Sequence, residues 1–301
     1  MTGARPLVTV ARMHDDELTI TEDQVRALLA DQLPEWADLD VLALPHRGTD
    51  HATFRLGAEL AVRMPRIEWA RECVEREWEW PRRIAPLLDW EAPTPLALGE
   101  PGRGYPWRWS VCRWVAGAPP TTPDVELAAD VARMIHDLRA LDPAGGRAAR
   151  RAHPLGDLHD LVAANTAAVA DEFDPRGLEA AWEESRDAEP WDGVGVWLHG
   201  DIAPGNLIVR DGRLTGVIDW GGLGVGDPSG DLGIAWNFFG AGERTAFRVA
   251  VGDDDTTWLR GRGWALNQAL LQLPYYRTRY TPLAEHARHT IREVLIDAGG
   301  A

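Results

Sequence analysis

The stretch that decides the fold is residues 196–232, VWLHGDIAPGNLIVRDGRLTGVIDWGGLGVGDPSGDL. Asp211-Gly212, between LIVR and RLTGVID, is a two-residue hairpin signal of type I′, because both turn positions need positive φ and this pair tolerates it. Counting back from the turn pairs Arg210 with Arg213, Leu207 with Gly216 and Asn206 with Val217. Alternate residues of a strand share a face, so Asn206, Val217 and Asp219 fall on one side of the hairpin. Asn206 and Asp219 are then diagonal neighbours, with Cβ atoms about 7 Å apart or less. An amide oxygen and a carboxylate converging in this way suit a hard cation such as Mg2+, which takes few protein oxygens and shares the rest with phosphates and water.

Asp201 precedes Asn206 by five residues, in a loop that Pro204 and Gly205 keep from becoming a helix. It can stand beside the metal without ligating it, where a carboxylate that accepts or orients a hydroxyl proton has to be. Singly, Asp201 reads as a loop cap, Asn206 as a turn residue and Asp219 as the cap of a following turn. Together, joined by one hairpin, they match the phosphoryl-transfer arrangement of protein kinases: a catalytic-loop Asp, a metal Asn and a second metal Asp. His199 reads as a support of the loop by hydrogen bonds, and Asp227 and Asp231 as caps of the next helix that brace the loop.

Outward from this segment the chain changes character. Residues 21–36 carry Val25, Leu28, Leu29 and Leu33 at helical spacing; short strand-like runs follow, with Phe54, Leu56, Leu60 and Val62 alternating. A helix from about Glu68 ends or kinks before Pro81, and TPLALGEP and RWSVCRWV read as two more strands. After the linker AGAPPTTP (116–123) the pattern is mainly helical: 124–141 with Asp124 as N-cap, then 157–186 and 228–297, with one strand pair at 206–220. The expected fold is α+β in two parts, a small-sheet lobe over 1–115 and a larger helical lobe over 116–301.

Composition narrows the function. The 301 residues carry a net charge of −16, which disfavours sequence-independent nucleic-acid binding and suits a cationic partner, although solubility alone explains such a charge. All 31 basic residues are Arg, so a Walker A lysine and lysine Schiff-base chemistry are excluded. Cys73 and Cys112 are the only cysteines, too few for a disulfide framework or a Cys-based zinc site. No apolar run approaches the ~20 residues of a membrane span, and the expected setting is cytoplasmic. No GxSxG elbow or HExxH motif supports a hydrolase.

The string HGDxxxxN…ID, with the small-sheet lobe, the linker and GDPxxDL, resembles the aminoglycoside phosphotransferase family, antibiotic kinases of the protein-kinase-like fold. The Arg-x-Pro-Arg string at 63–66 is similar to that of the macrolide phosphotransferase branch. The resemblance implies a bilobal kinase-like fold, Asp201 as catalytic residue, Asn206 and Asp219 as Mg2+ ligands, and ATP or GTP as co-substrate. It implies that the strand position usually held by Lys is Arg63, paired with a helix Glu. Glu77, in line with Trp69, Cys73 and Trp80 on its helix, is the natural partner; Glu72 and Glu75 are rivals, and Glu77 could instead pair with Arg76 or Arg82. Guanidinium is forked and bulkier than an ammonium, so phosphates there shift or are gripped bidentately.

The phosphate-covering loop of such a fold falls at 46–54, HRGTDHATF, where backbone around Gly48 and Thr49 could cradle phosphate or form an ordinary hairpin turn. SVCRW (110–114) falls at the adenine-binding hinge, with contacts from the backbone of Cys112 and Trp114. The acceptor meets Asp201 from the helical lobe, and Asp157, Asp160 and Glu243 are candidates to receive a cationic small molecule; solvated helix faces explain such charges equally. Trp107, Trp109, Trp114 and Trp236 could stack on a sugar or pack in the core. The leading expectation is a Mg2+-dependent kinase of an aminoglycoside or related antibiotic. A metabolic kinase of a sugar, amino alcohol or amino acid, and a nucleotide-binding module without kinase activity, are its competitors.

Overall fold

Short runs of alternating apolar residues in the first third of the chain pair into an antiparallel sheet, and a capped amphipathic helix covers it. The computed structural model describes residues 13–44, 48–151 and 153–299. By contact the chain divides into two units, one holding the residues up to Glu79 with Pro93–Trp114, the other Trp80–Ala92 with Val115 onward. In the first unit helix α1 (Glu22–Gln32) begins at Thr21, whose hydroxyl accepts from Gln24 N–H at 3.2 Å. Strands β1 (Val41–Ala43), β2 (His51–Leu56) and β3 (Leu60–Pro65) are followed by α2 (Arg71–Glu79), β4 (Pro95–Gly99) and β5 (Trp109–Arg113). The sheet order is β1-β2-β3-β5-β4, all antiparallel. Val25, Leu28 and Leu29 of α1 pack with Phe54, Leu56, Val62, Met64, Trp109 and Val111 to make its core.

The second unit is mainly helical: α3 (Pro81–Ile84), α4 (Val125–Arg139), α5 (His159–Ala168), α6 (Pro175–Arg186), and, after the short strands, α7 (Ile234–Asn237), α8 (Ala241–Val251), α9 (Asp255–Tyr276) and α10 (Thr281–Asp297). Asp124 caps α4, accepting from Leu127 N–H at 2.7 Å, and Val131, Met134, Ile135 and Leu138 are buried along one stripe. The helices read over 157–186 and 228–297 are each broken into shorter ones. Among the described residues, no helix is long and apolar enough to cross a membrane.

Three expectations need correction. Residues 80–92, read as part of the first lobe, sit with the second unit: Trp80 packs on Trp197 with ring centroids 4.8 Å apart and tilted by 54°, Trp90 Nε1 donates to Asp137 at 2.7 Å, and Glu91 N–H donates to Thr215 O at 2.9 Å. The strand pair over 206–220 has company, since β6 (Val196–Leu198) pairs with β9 (Gly224–Gly226). The hairpin β7 (Leu207–Arg210) and β8 (Arg213–Val217) has positive φ at Asp211 and Gly212, as type I′ requires. Its register is one residue off: Leu207 faces Val217 rather than Gly216, because of a bulge at Ile208/Val209. A third segment lies against the hairpin at this point. Glu91 bonds to β8 on both sides of Gly216, through its N–H to Thr215 O and its O from Val217 N–H, each at 2.9 Å.

Candidate active site

The loop after β6 is built from the backbone outward. Gly200 has φ +80, and a Cβ there would lie 2.4 Å from Gly222 O, so only glycine lets the chain cross the 220–222 turn. The buried Asp231 carboxylate accepts from His199 N–H and Gly200 N–H, both at 2.7 Å. His199 is fully buried; its Nδ1 accepts from Asp201 N–H at 3.3 Å, which leaves the proton on Nε2 to donate to Ile218 O at 3.1 Å. His199 thus ties the Asp201 loop to the residue before Asp219. Asp227 accepts from Ser229 N–H at 2.9 Å and holds the Arg260 fork at 2.8 and 3.2 Å.

Asn206 Nδ2 donates to Asp201 O at 2.9 Å and to Asp201 Oδ2 at 3.2 Å, so the amide nitrogen is spent on Asp201 and Oδ1 is the acceptor end of the side chain. Ile218 N–H donates to Asn206 O at 2.8 Å, so simple alternation would turn the next residue, Asp219, to the other face. Asp219 breaks the alternation with a left-handed backbone, φ 67° and ψ 64°, and makes no side-chain cap bond to the turn that follows. Its charge acts on Asp201. Asp201 keeps 49 % of its side chain exposed. Desolvation raises its pKa above the ordinary aspartate value and Asp219 adds to this; Arg151, His199 and Asn206 oppose it. Asn206 and Asp219 offer two oxygens of the hard type that Mg2+ takes when phosphates complete its shell. Among the described residues no group of three His, Cys, Asp or Glu side chains forms a closed metal cage.

In the first unit Arg63 and Glu77 form a two-pronged pair, Nη2–Oε1 at 2.8 Å and Nε–Oε2 at 3.2 Å, with both side chains buried. The rival Glu75 is taken by Arg108 at 2.6 Å on the exposed face. Cys112 lies close enough for Arg63 and Glu77 to act on it; burial pushes its thiol up to about 12. Cys112 is flanked in the sheet by Ala61 and Pro95. Trp114 N–H is spent on Glu59 O at 2.8 Å, and Arg55 covers its ring at 4.1 Å. Of the loop read at 46–54, His46 and Arg47 lie outside the described residues, and His51–Phe54 belong to β2. Between them Gly48 has φ +90 and Thr49 Oγ1 donates to Asp50 at 2.7 Å.

Asp157 and Asp160 are exposed near the start of α5, and Glu243 lies in the first turn of α8. No hydrogen bond joins any of the three to Asp201, and in the same unit the Glu184 carboxylate of α6 is held by the buried Arg262 at 2.6 Å. Trp109 and Trp236 are core residues, fully buried. The sequence reading missed Arg151, whose Nη2 stands 3.5 Å from Asp201 Oδ1. It lies 50 positions upstream of Asp201, and no local spacing marks it; the only hint is the run of glycines at 221–230 that admits its segment.

Residues 41–264 match the phosphotransferase enzyme family, and the chain belongs to it. Among curated proteins it is 40 % identical over 63 residues to an aminoglycoside 3′-phosphotransferase of Escherichia coli, covering 21 % of this chain and 23 % of that one. It is 35 % identical over 122 residues to an aminoglycoside 3′-phosphotransferase of Streptomyces fradiae, covering 37 % and 42 %. The match therefore spans less than half the length of either relative. Among solved structures, the GDP complex of aminoglycoside 2′-phosphotransferase-IIIa superimposes with a TM-score of 0.70 at 17 % identity, over 92 % of this chain and 99 % of that one. Macrolide 2′-phosphotransferase MphH from Brachybacterium faecium does so with 0.61 at 21 % identity, over 89 % and 97 %. The chain shares their α+β, protein-kinase-like fold.

Proposed function

We propose that this protein is a Mg2+-dependent phosphotransferase that moves the γ-phosphoryl group of ATP or GTP to a hydroxyl of a small molecule, an aminoglycoside or related antibiotic. The observation that carries this reading is Asp201, a half-exposed carboxylate with one oxygen held by Asn206 and the Asp219 charge beside it. Its open side accepts or orients the acceptor's hydroxyl proton while the hydroxyl oxygen bonds to phosphorus and the nucleoside diphosphate leaves. Asn206 Oδ1 and Asp219 would hold Mg2+, which when bound neutralises charge on the phosphates. The Arg63–Glu77 pair orients a guanidinium toward the nucleotide, and Gly48, Thr49, Cys112 and Trp114 belong to the same side. His199, Asp227 and Asp231 keep the loop in shape. The names of the matched relatives and the net charge of −16 favour a cationic acceptor, with Asp157, Asp160 and Glu243 as its receiving groups.

The test is nucleotide turnover with Mg2+ and ATP or GTP, screened against aminoglycosides, macrolides and hydroxylated metabolites, with Asp201→Asn alongside. Stimulation by an aminoglycoside, with turnover reduced about 100- to 10,000-fold in Asp201→Asn while nucleotide still binds, is the expected result. Stimulation by a metabolite alone replaces the acceptor class, and unchanged turnover in Asp201→Asn overturns the mechanism.

A further inference from the structure

The connection between α4 and α5 runs alongside β9: Ala149 N–H donates to Val225 O at 3.0 Å, and Val225 N–H to Arg147 O at 2.7 Å. Two glycines admit it. A Cβ on Gly224 would lie 2.5 Å from Ala149 Cα, and one on Gly230 would lie 3.3 Å from Arg151 Cβ. The backbone so pinned delivers Arg151 to the Asp201 loop. Its side chain is 13 % exposed, Nη1 donates to Gly230 O at 3.0 Å, and Nη2 faces Asp201 Oδ1 at 3.5 Å. The other carboxylate oxygen accepts from Asn206. Asp201 therefore has one oxygen bonded by Asn206 and the other facing the Arg151 charge, from two segments far apart in the chain. Desolvating a guanidinium is costly unless it meets an anion, and the anion Arg151 meets is the one assigned to the acceptor's proton.

We propose that Arg151 is a positioning residue that fixes the Asp201 carboxylate for the acceptor hydroxyl. This rests on the phosphotransferase reading. The transfer is unaltered by it: the hydroxyl oxygen bonds to the γ-phosphorus, the bond to the bridging oxygen breaks with its electron pair leaving on the nucleoside diphosphate, and the proton passes to Asp201. Anchored on Gly230 O, Arg151 limits the carboxylate to one orientation, and small misplacements of a reacting group are expensive in rate.

The experiment is a double-mutant cycle of Arg151→Met and Asp201→Asn, with Arg151→Lys as the conservative variant, read by steady-state kinetics and thermal unfolding. Arg151→Met should lower kcat about 100-fold with little change in the KM of nucleotide or acceptor, and Arg151→Lys should recover part of it. The Tm loss caused by Arg151→Met should shrink when Asp201 is already Asn. Unchanged kcat, a rise in KM alone, or no recovery with Lys overturns the proposal, as do additive Tm losses in an active enzyme. Coupled Tm losses in a wild-type protein that turns over no acceptor instead overturn the phosphotransferase reading, and with it the purpose of the contact.

Discussion

Asp219 holds a backbone conformation that costs a non-glycine residue about 1–3 kcal/mol, and it spends no side-chain bond on capping the turn it begins. It also stands near enough to raise the pKa of Asp201, which is repulsion in the ground state. Asp219→Asn keeps the size and the left-handed tolerance and removes only the charge. We expect its Tm to match or exceed that of the parent, while nucleotide affinity loses its dependence on Mg2+. Calorimetric titration of nucleotide with Mg2+ and with chelator checks this, and a retained Mg2+ effect would exclude Asp219 as a ligand. Glu77 was legible at this scale as well: a carboxylate in an apolar helix stripe needs a cation, and Arg63 meets it with both prongs.

At the scale of elements, the site depends on backbone crossings that leave no room for a side chain. Gly200 combines positive φ with a contact to Gly222 O that a Cβ would bring to 2.4 Å, both atoms being backbone that cannot swing aside. Gly200→Ala should therefore destabilise the protein by about 3 kcal/mol and cut turnover with it, as measured by urea unfolding and kinetics on the folded fraction. Wild-type stability in that variant would mean that the two loops separate freely. The hairpin shows what local reasoning reaches and where it stops. Asp211-Gly212 dictates the turn, yet the strand pairing slips by one residue at a bulge, and Glu91, more than 100 residues upstream, bonds on both sides of Gly216. Asp219 leaves the strand through a left-handed backbone, a feature that alternation cannot supply.

For the whole molecule, pH dependence follows from the half-buried His286 and the buried His14. Burial lowers His286 in α10 to about 4, with the charge of His289 adding to the effect, and burial lowers His14 as well. A histidine whose folded pKa lies below its unfolded value of about 6.5 takes up its proton more readily on unfolding. Its contribution is therefore intact above about pH 6.5 and is lost as the pH falls toward 4. Tm should decline between pH 7 and pH 5, and His286→Gln should flatten that decline; an unchanged slope would show that His286 is solvated in the folded state.

The amino-acid sequence by itself determined most of the elements and marked Asp201, Asn206 and Asp219 as one candidate set. Caps at Thr21 and Asp124, the Asp-Gly turn and the spacing of apolar residues act over a few positions, so local rules suffice for them. The tertiary structure alone decided the strand register, the placing of residues 80–92 and the arrival of Arg151 at Asp201. It also decided that Asp231 grips two backbone N–H groups that precede it by 32 and 31 residues. These are contacts between segments distant in the chain, fixed by which backbones can approach closely enough to bond. Such closeness is set by glycines and packing in three dimensions, and it leaves no periodic trace in the order of residues.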